Sequence, residues 1–538
     1  MITVSKRAVV SFFIITLLFS SMLFRIAYIS ETMSAHADSQ KSSRLVTVGQ
    51  TRGMIYDRNM KPLVNREMHR MLIVNPTADA MAVLEEQLQP DEYSKAQENA
   101  EKGKPFLFQC DTYNGECEDI RDVVVYDRYS ESDTAVHLIG YLDSSGNGVS
   151  GIEKAFDSLL KEYSGTFSVR YNADASGKVL GGMGLEIVNE NYDSQGGIVL
   201  TIDSEIQQAC ENAMKWNNLE KGAVVVLDVK TSEILAMASA PVYDRENLSA
   251  ALENADSPFL NRVTEAYAVG SVFKPVVAVA ALEKGINADV VFNCDGCSEV
   301  SGVNFNCHKR SGHGMNDMSS AMAVSCNSYF ISLGQTAGTE NIISSASALG
   351  FGKEIGLCDS IVSDAGNLPS ADEIDSLPAL ANLSFGQGSL LATPLQIAAA
   401  YCAFANGGYY REPYVLKNMV DGKGQITAYY KNEINNKVIP DSICGEIVGM
   451  LAETVKNGSG KLASPMICDA AGKTATAETG RTDGNQKKVN TWFAGFYPSE
   501  NPEYVIVVFR EDGNSSATDC APVFRDIADN ISVKQSRN

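Results

Sequence analysis

The sequence predicts a membrane-anchored α/β chain: one apolar N-terminal helix, a mainly β segment, then a large mixed α/β domain. Three observations carry this reading. Ala8 to Phe24 contains no charge and no proline. A polar stretch from Gln40 to about Gln195 is punctuated by short β-prone runs such as Met71 to Val74 and Val123 to Tyr126. After Gly196-Gly197, apolar strand-like runs stand at both ends of a region whose middle has helical periodicity. The length of 538 residues calls for more than one domain. With 44% apolar and 20% charged residues, wholesale disorder is excluded. Acidic residues outnumber basic ones 66 to 44, for a formal charge of −22, so nucleic acid is not an expected partner.

At 1.5 Å per residue, Ala8 to Phe24 spans roughly 25 Å, a little short of a ~30 Å hydrocarbon core. Ile26 to Ile29 extend the run, and Arg25 can snorkel. The expected anchor is therefore 8–29. Lys6 and Arg7 precede it, so the positive-inside rule places the tail 1–7 in the cytoplasm and the rest outside the membrane. Ala35-His36-Ala37 has the form of a signal-peptidase site, but it lies well beyond the apolar run, so an uncleaved single span is the stronger reading.

Residues 40–195 are expected to form the mainly β pedestal, with Pro90 to Lys104 as a charged, exposed, helix-prone insertion. Residues 198–533 are expected to form the second domain. There Ile198 to Ile202 reads as a strand, and Ser204 to Trp216 as a helix with Ile206, Cys210 and Met214 on one face. Ala223 to Asp228 and Ile234 to Ala238 read as a hairpin, Thr491 to Tyr497 and Tyr504 to Arg510 as a second strand pair. A helix from about Pro522 to Ile531 closes the domain. The sheet must then join segments that are far apart along the chain.

Three short motifs carry chemistry: Ser271-Val-Phe-Lys274, Ser325-Cys-Asn327 and Lys473-Thr474-Ala475. Ser and Lys three apart at a helix start face the same side. A serine hydroxyl needs a base to become a nucleophile, and a desolvated lysine can be that base. The backbone N–H groups of Ser271 and of a strand residue are candidates to hold the oxyanion. Decoys exist. Ser158-Leu-Leu-Lys161 reads as a solvated helix face, Ser145-Gly-Asn147 as a turn, and Lys230-Thr231-Ser232 as a hairpin tip. Only the 271, 325 and 473 set has this order in the contexts of helix start, inter-helix turn and buried strand. A triple of this kind, with a different middle residue in the second motif, occurs in class A β-lactamases and penicillin-binding proteins.

On these motifs the chain resembles a class B penicillin-binding protein, a membrane-anchored peptidoglycan D,D-transpeptidase of the division, elongation or sporulation type. The resemblance extends to Arg52-Gly53 through Asn59, His137 to Tyr141 with Ser150 to Glu153, and Thr201-Ile-Asp203 with Gln207. It continues in Ala240 to Asp244, Asn261-Arg262, Gly386 to Gly388, Thr393 to Gln396, Trp492 to Phe496 and Ala521 to Phe524. It implies a central antiparallel sheet flanked by helices, after a mainly β pedestal and one transmembrane helix. It also implies roles: Ser271 the acylated nucleophile, Lys274 its base, Ser325 a proton relay and Asn327 a clamp on the donor peptide. Lys473 and Thr474 would hold the terminal carboxylate, and Thr476 would lend its N–H to the oxyanion. Implied ligands are peptidoglycan stem peptides and β-lactams, with no cofactor and no metal. Implied partners are a multi-span membrane glycosyltransferase and division or sporulation proteins.

The family's third motif normally ends in glycine, and Ala475 stands there instead. Strand alternation puts its methyl on the Lys473 side, toward the cleft, where it is expected to slow acylation. Cys294, Cys297, Cys307 and His308 or His313 can be drawn as a zinc site, yet a second C-x-x-C is lacking. A disulfide using Cys294 and Cys307, or free thiols, is the stronger reading, and Cys110 with Cys117 could close another loop. Competing functions are a catalytically weakened scaffold, a β-lactamase and a penicillin sensor. The long N-terminal region disfavours the β-lactamase, and the single span the sensor.

Overall fold

The computed structural model describes residues 6–535, apart from 41, 111, 131–133, 175–178, 180–184, 246, 359, 431–435 and 484–485. Most of the expected tail, residues 1–5, lies outside this set. The first helix runs from Lys6 to Gln40, past the expected end of the anchor at 29. Within it, Val9–Ser30 is long and apolar enough to cross a membrane, and none of it is buried by the rest of the chain.

Two compact units follow. One comprises residues up to Arg52 with Asn65–Arg128 and Ser164–Ser194. It holds two antiparallel three-stranded sheets. In the first, Gly165–Ala173 lies between Ser42–Thr51 and Glu186–Glu190; in the second, Glu67–Val74 lies between Phe106–Gln109 and Ile120–Asp127. Leu72, Val74, Phe108 and Ile120 pack on Leu84 of the helix Ala78–Gln87, which Thr77 caps by accepting from the Ala80 N–H. The expected insertion forms the helix Pro90–Ala100, opened by a capping box between Gln89 and Glu92 and burying only Ala96.

The other unit comprises Gly53–Val64, Tyr129–Tyr163 and everything from Gln195. The stretch 40–195, expected as one pedestal, is thus divided between the two units. The cause is pairing and burial at long range. Met54–Tyr56 forms a parallel ladder with Gly197–Leu200, and Leu138, Ile139, Ile152 and Leu160 join the large core of the second unit.

That core surrounds a five-stranded antiparallel sheet. Its order is Ile234–Ala240, Gly222–Asp228, Tyr504–Gly513, Gln486–Tyr497, Ala471–Asp483. The strands read as nearly continuous apolar runs because both faces are covered. Val225, Leu227, Val505 and Val507 face the helices Lys274–Glu283 and Pro394–Ala405. Val224, Val226, Ile506 and Val508 face Ser204–Trp216 and Ala521–Gln535. Successive side chains therefore serve opposite layers. Ala471–Asp483 is the edge strand, paired on one side only, and it carries the third motif.

Candidate active site

Ser271 lies in a 3-10 turn, Gly270–Phe273, that leads into the helix Lys274–Glu283. The turn, rather than an α-helical first turn, sets the spacing between hydroxyl and amine. Gly270 has a left-handed backbone, φ +68°, and a Cβ there would stand 3.2 Å from the Ala477 methyl and 3.4 Å from the Ala475 methyl. Glycine at this point lets the edge strand close up against the turn. Ser271 is half-buried.

Lys274 is fully buried. Its Nζ donates to the Ser325 carbonyl at 2.9 Å, the Ser325 hydroxyl at 3.1 Å and the Asn327 Oδ1 at 2.8 Å. None of these acceptors is charged. Burial therefore pushes its pKa down to about 7, against a smaller upward pull from Cys307 and Cys326. Ser325 occupies the turn between the helices Met318–Ala323 and Asn327–Ala337, with φ +55°, a conformation a non-glycine residue adopts only when its surroundings hold it. The two bonds from Lys274, the Ser325 N–H to the Met322 carbonyl and the Cys326 N–H to the Ala321 carbonyl supply that hold. Cys326 caps the following helix, its Sγ accepting from the Tyr329 N–H.

On the edge strand, Lys473 is also fully buried and donates to the Thr474 carbonyl at 3.0 Å. Burial, and then the charge of Lys274, hold its pKa well below the ordinary amine range. An anion arriving beside these amines would favour their charged forms. Thr474 is buried and its hydroxyl meets that of Ser459 at 2.8 Å, while Thr476 is exposed and donates to the Ser516 hydroxyl at 3.3 Å. Three distant segments thus converge: Lys274 bonds Ser325 and Asn327, and the turn bearing Ser271 abuts the strand bearing Lys473, Thr474 and Thr476.

Ala475 differs from its expected setting. Its side chain is 2% exposed and packs in the core beside Gly270, so the methyl fills space under the turn. The missing Cβ of Gly270 makes that room. The decoys stay apart: Lys161 pairs with Asp157 and Asn147 on the surface, Asn147 closes a turn with Asp143, and Lys230 and Thr231 wrap Asp228 at a hairpin tip.

Cys294, Cys307, His313 and Cys326 place their donor atoms within 4.8 Å of one another. The His313 Nδ1 is 3.4 Å from the Cys307 Sγ and 3.6 Å from the Cys294 Sγ. Three thiols and an imidazole match the four-coordinate donor set that suits zinc. The Cys307 thiol is pushed down, chiefly by its hydrogen bond with Cys326, which is pushed up by the same contact. Sequence reasoning does not bring Cys326 into this cluster; its place between Ser325 and Asn327, which the chain folds beside Cys307, does. Cys297 is exposed and outside the cluster, and no disulfide joins Cys294 to Cys307 or Cys110 to Cys117.

A family model described as "Penicillin binding protein transpeptidase domain" matches residues 222–529, over half of the chain. The chain is 29% identical over 425 residues to stage V sporulation protein D of Bacillus subtilis, covering 75% of this chain and 64% of that one. It therefore spans slightly less than two thirds of that relative's length. It is 27% identical over 537 residues to peptidoglycan D,D-transpeptidase FtsI of Escherichia coli, covering 93% and 86%. Among solved structures, the D,D-transpeptidase domain of a peptidoglycan glycosyltransferase from Eggerthella lenta superposes with a TM-score of 0.66 at 24% identity, over 91% of this chain and 99% of that one. Penicillin binding protein 3 of Mycobacterium tuberculosis, complexed with aztreonam, superposes with a TM-score of 0.65 at 23% identity, over 92% and 97%. At those identities the solved structures speak for the fold. The family match speaks for the lineage: this chain belongs to the penicillin-binding protein transpeptidase family.

Proposed function

We propose that the chain is a class B peptidoglycan D,D-transpeptidase that works through a Ser271 acyl-enzyme and is acylated by β-lactams. Ser271 Oγ attacks the carbonyl of the D-Ala-D-Ala bond; its proton passes by way of Lys274 and Ser325 to the departing D-alanine as the C–N bond breaks. An amine of a second stem peptide then attacks the ester, forming the cross-link and returning a proton to Ser271. Asn327 holds the donor peptide, Lys473 and Thr474 its carboxylate, and the N–H groups of Ser271 and Thr476 the oxyanion. The observation that carries this reading is the buried Lys274 amine, pushed down to about 7 and bonded to Ser325 and Asn327, one turn from Ser271.

By the positive-inside rule the N-terminus lies in the cytoplasm and the catalytic unit outside. The relatives' names and the single apolar helix support a role in wall synthesis during division or sporulation, beside a multi-span membrane glycosyltransferase. In sequence the pedestal is proposed to span 40–195 and the transpeptidase domain 198–533, with 53–64 and 129–163 of the first stretch packing into the second compact unit.

Labelling with a fluorescent penicillin tests the activity. The native chain should carry the label covalently, and Ser271→Ala should lose it while keeping its thermal transition. A folded native chain that takes no label would shift the assignment to a non-catalytic scaffold.

A further inference from the structure

Thr474 is the residue proposed to grip the substrate carboxylate, yet its hydroxyl is already engaged. Ser459 Oγ stands 2.8 Å from it, with either oxygen able to donate. A hydroxyl has one proton and two acceptor lone pairs. If Thr474 spends its proton on Ser459, it has none for an anion. If Ser459 donates instead, the Thr474 proton is free to point into the cleft.

The position of Ser459 is constrained from a second direction. It lies in the turn after the helix Asp441–Lys456, and its own N–H donates to the Ala323 carbonyl at 2.9 Å. Ala323 ends the helix that leads into Ser325. The preceding Gly458 has no room for a side chain, since a Cβ would stand 2.3 Å from that same Ala323 carbonyl. One short turn therefore touches both walls of the cleft: by backbone the wall carrying Ser325 and Asn327, by side chain the strand carrying Lys473 and Thr474.

We infer that Ser459 is a positioning residue that donates to Thr474 and so turns the Thr474 hydroxyl proton toward the terminal carboxylate of the acyl donor. This rests on the transpeptidase reading above. A hydroxyl polarised by an incoming hydrogen bond is the better donor, and a bond to a charged acceptor is worth more than a neutral one. The effect of losing Ser459 should thus depend on whether the acyl donor carries a carboxylate.

The test compares acylation of the full chain by benzylpenicillin and by its methyl ester, for the native protein, Ser459→Ala and Ser459→Thr, with thermal melting alongside. Ser459→Ala should slow acylation by the acid about tenfold and leave the ester within about twofold. Ser459→Thr, which keeps the hydroxyl, should restore the acid. Acid and ester slowed together, or neither slowed, would overturn the inference, whatever the melting temperature. If the native chain is acylated by neither compound, the transpeptidase reading fails first and carries this inference with it.

Discussion

Among the described residues, the acceptors bonded to the Lys274 Nζ are two oxygens of Ser325 and one of Asn327, none of them charged. An ammonium in that setting loses water and gains no counter-ion, which is why its pKa falls to about 7. Cys307, just after the strand Val303–Asn306, and Cys326, at the start of the helix Asn327–Ala337, oppose the fall, while Lys473 on the edge strand is itself pushed well down. The active form of a base is the neutral amine. Acylation should therefore rise about tenfold per pH unit on the acid side and level off above about pH 7. Rapid-mixing acylation between pH 5.5 and 9 checks this, and a flat profile would remove Lys274 from the role. Lys274→Arg should be inactive across the range, because a guanidinium does not give up its proton.

The edge strand Ala471–Asp483 and the turn Gly270–Phe273 form one packed element pair. The methyls of Ala475 and Ala477 lie beneath Gly270, where a side chain on residue 270 would press against them. This reverses the expectation drawn from the third motif. Since the Ala475 methyl is buried under the turn, removing it frees no space for substrate. Ala475→Gly should leave acylation by penicillin within about twofold and lower stability by about 1 kcal/mol, through lost packing and a more flexible strand. A stopped-flow comparison and a denaturant titration measure both. A severalfold gain in acylation would return the methyl to the cleft.

For the molecule as a whole, the catalytic sheet is sealed by helices on both faces, whereas the apolar stretch Val9–Ser30 of the helix Lys6–Gln40 is left unburied among the described residues. A span of that length and composition can be buried by lipid. The full chain should sediment with membranes and be released by detergent but not by high salt. A chain lacking residues 1–40 should appear in the soluble fraction and still label with penicillin. Salt extraction of the full chain would show that the helix does not insert.

Much of this was legible in the residues alone. The uncharged run of Ala8 to Phe24, the period-four apolar face of Ser204 to Trp216 and the valine-rich strands are local patterns, and local patterns report local structure. The order of Ser271-x-x-Lys274, Ser325-x-Asn327 and Lys473-Thr474 pointed to one pocket because few chemistries need that set. Packing at long range was not legible. Only the tertiary structure assigned residues 53–64 and 129–163 to the second compact unit, gathered Cys294, Cys307, His313 and Cys326, turned Ala475 under Gly270 and set Ser459 against Thr474. Each depends on which distant backbone lies alongside. Periodicity along one strand cannot encode that, because the same alternation fits either neighbour.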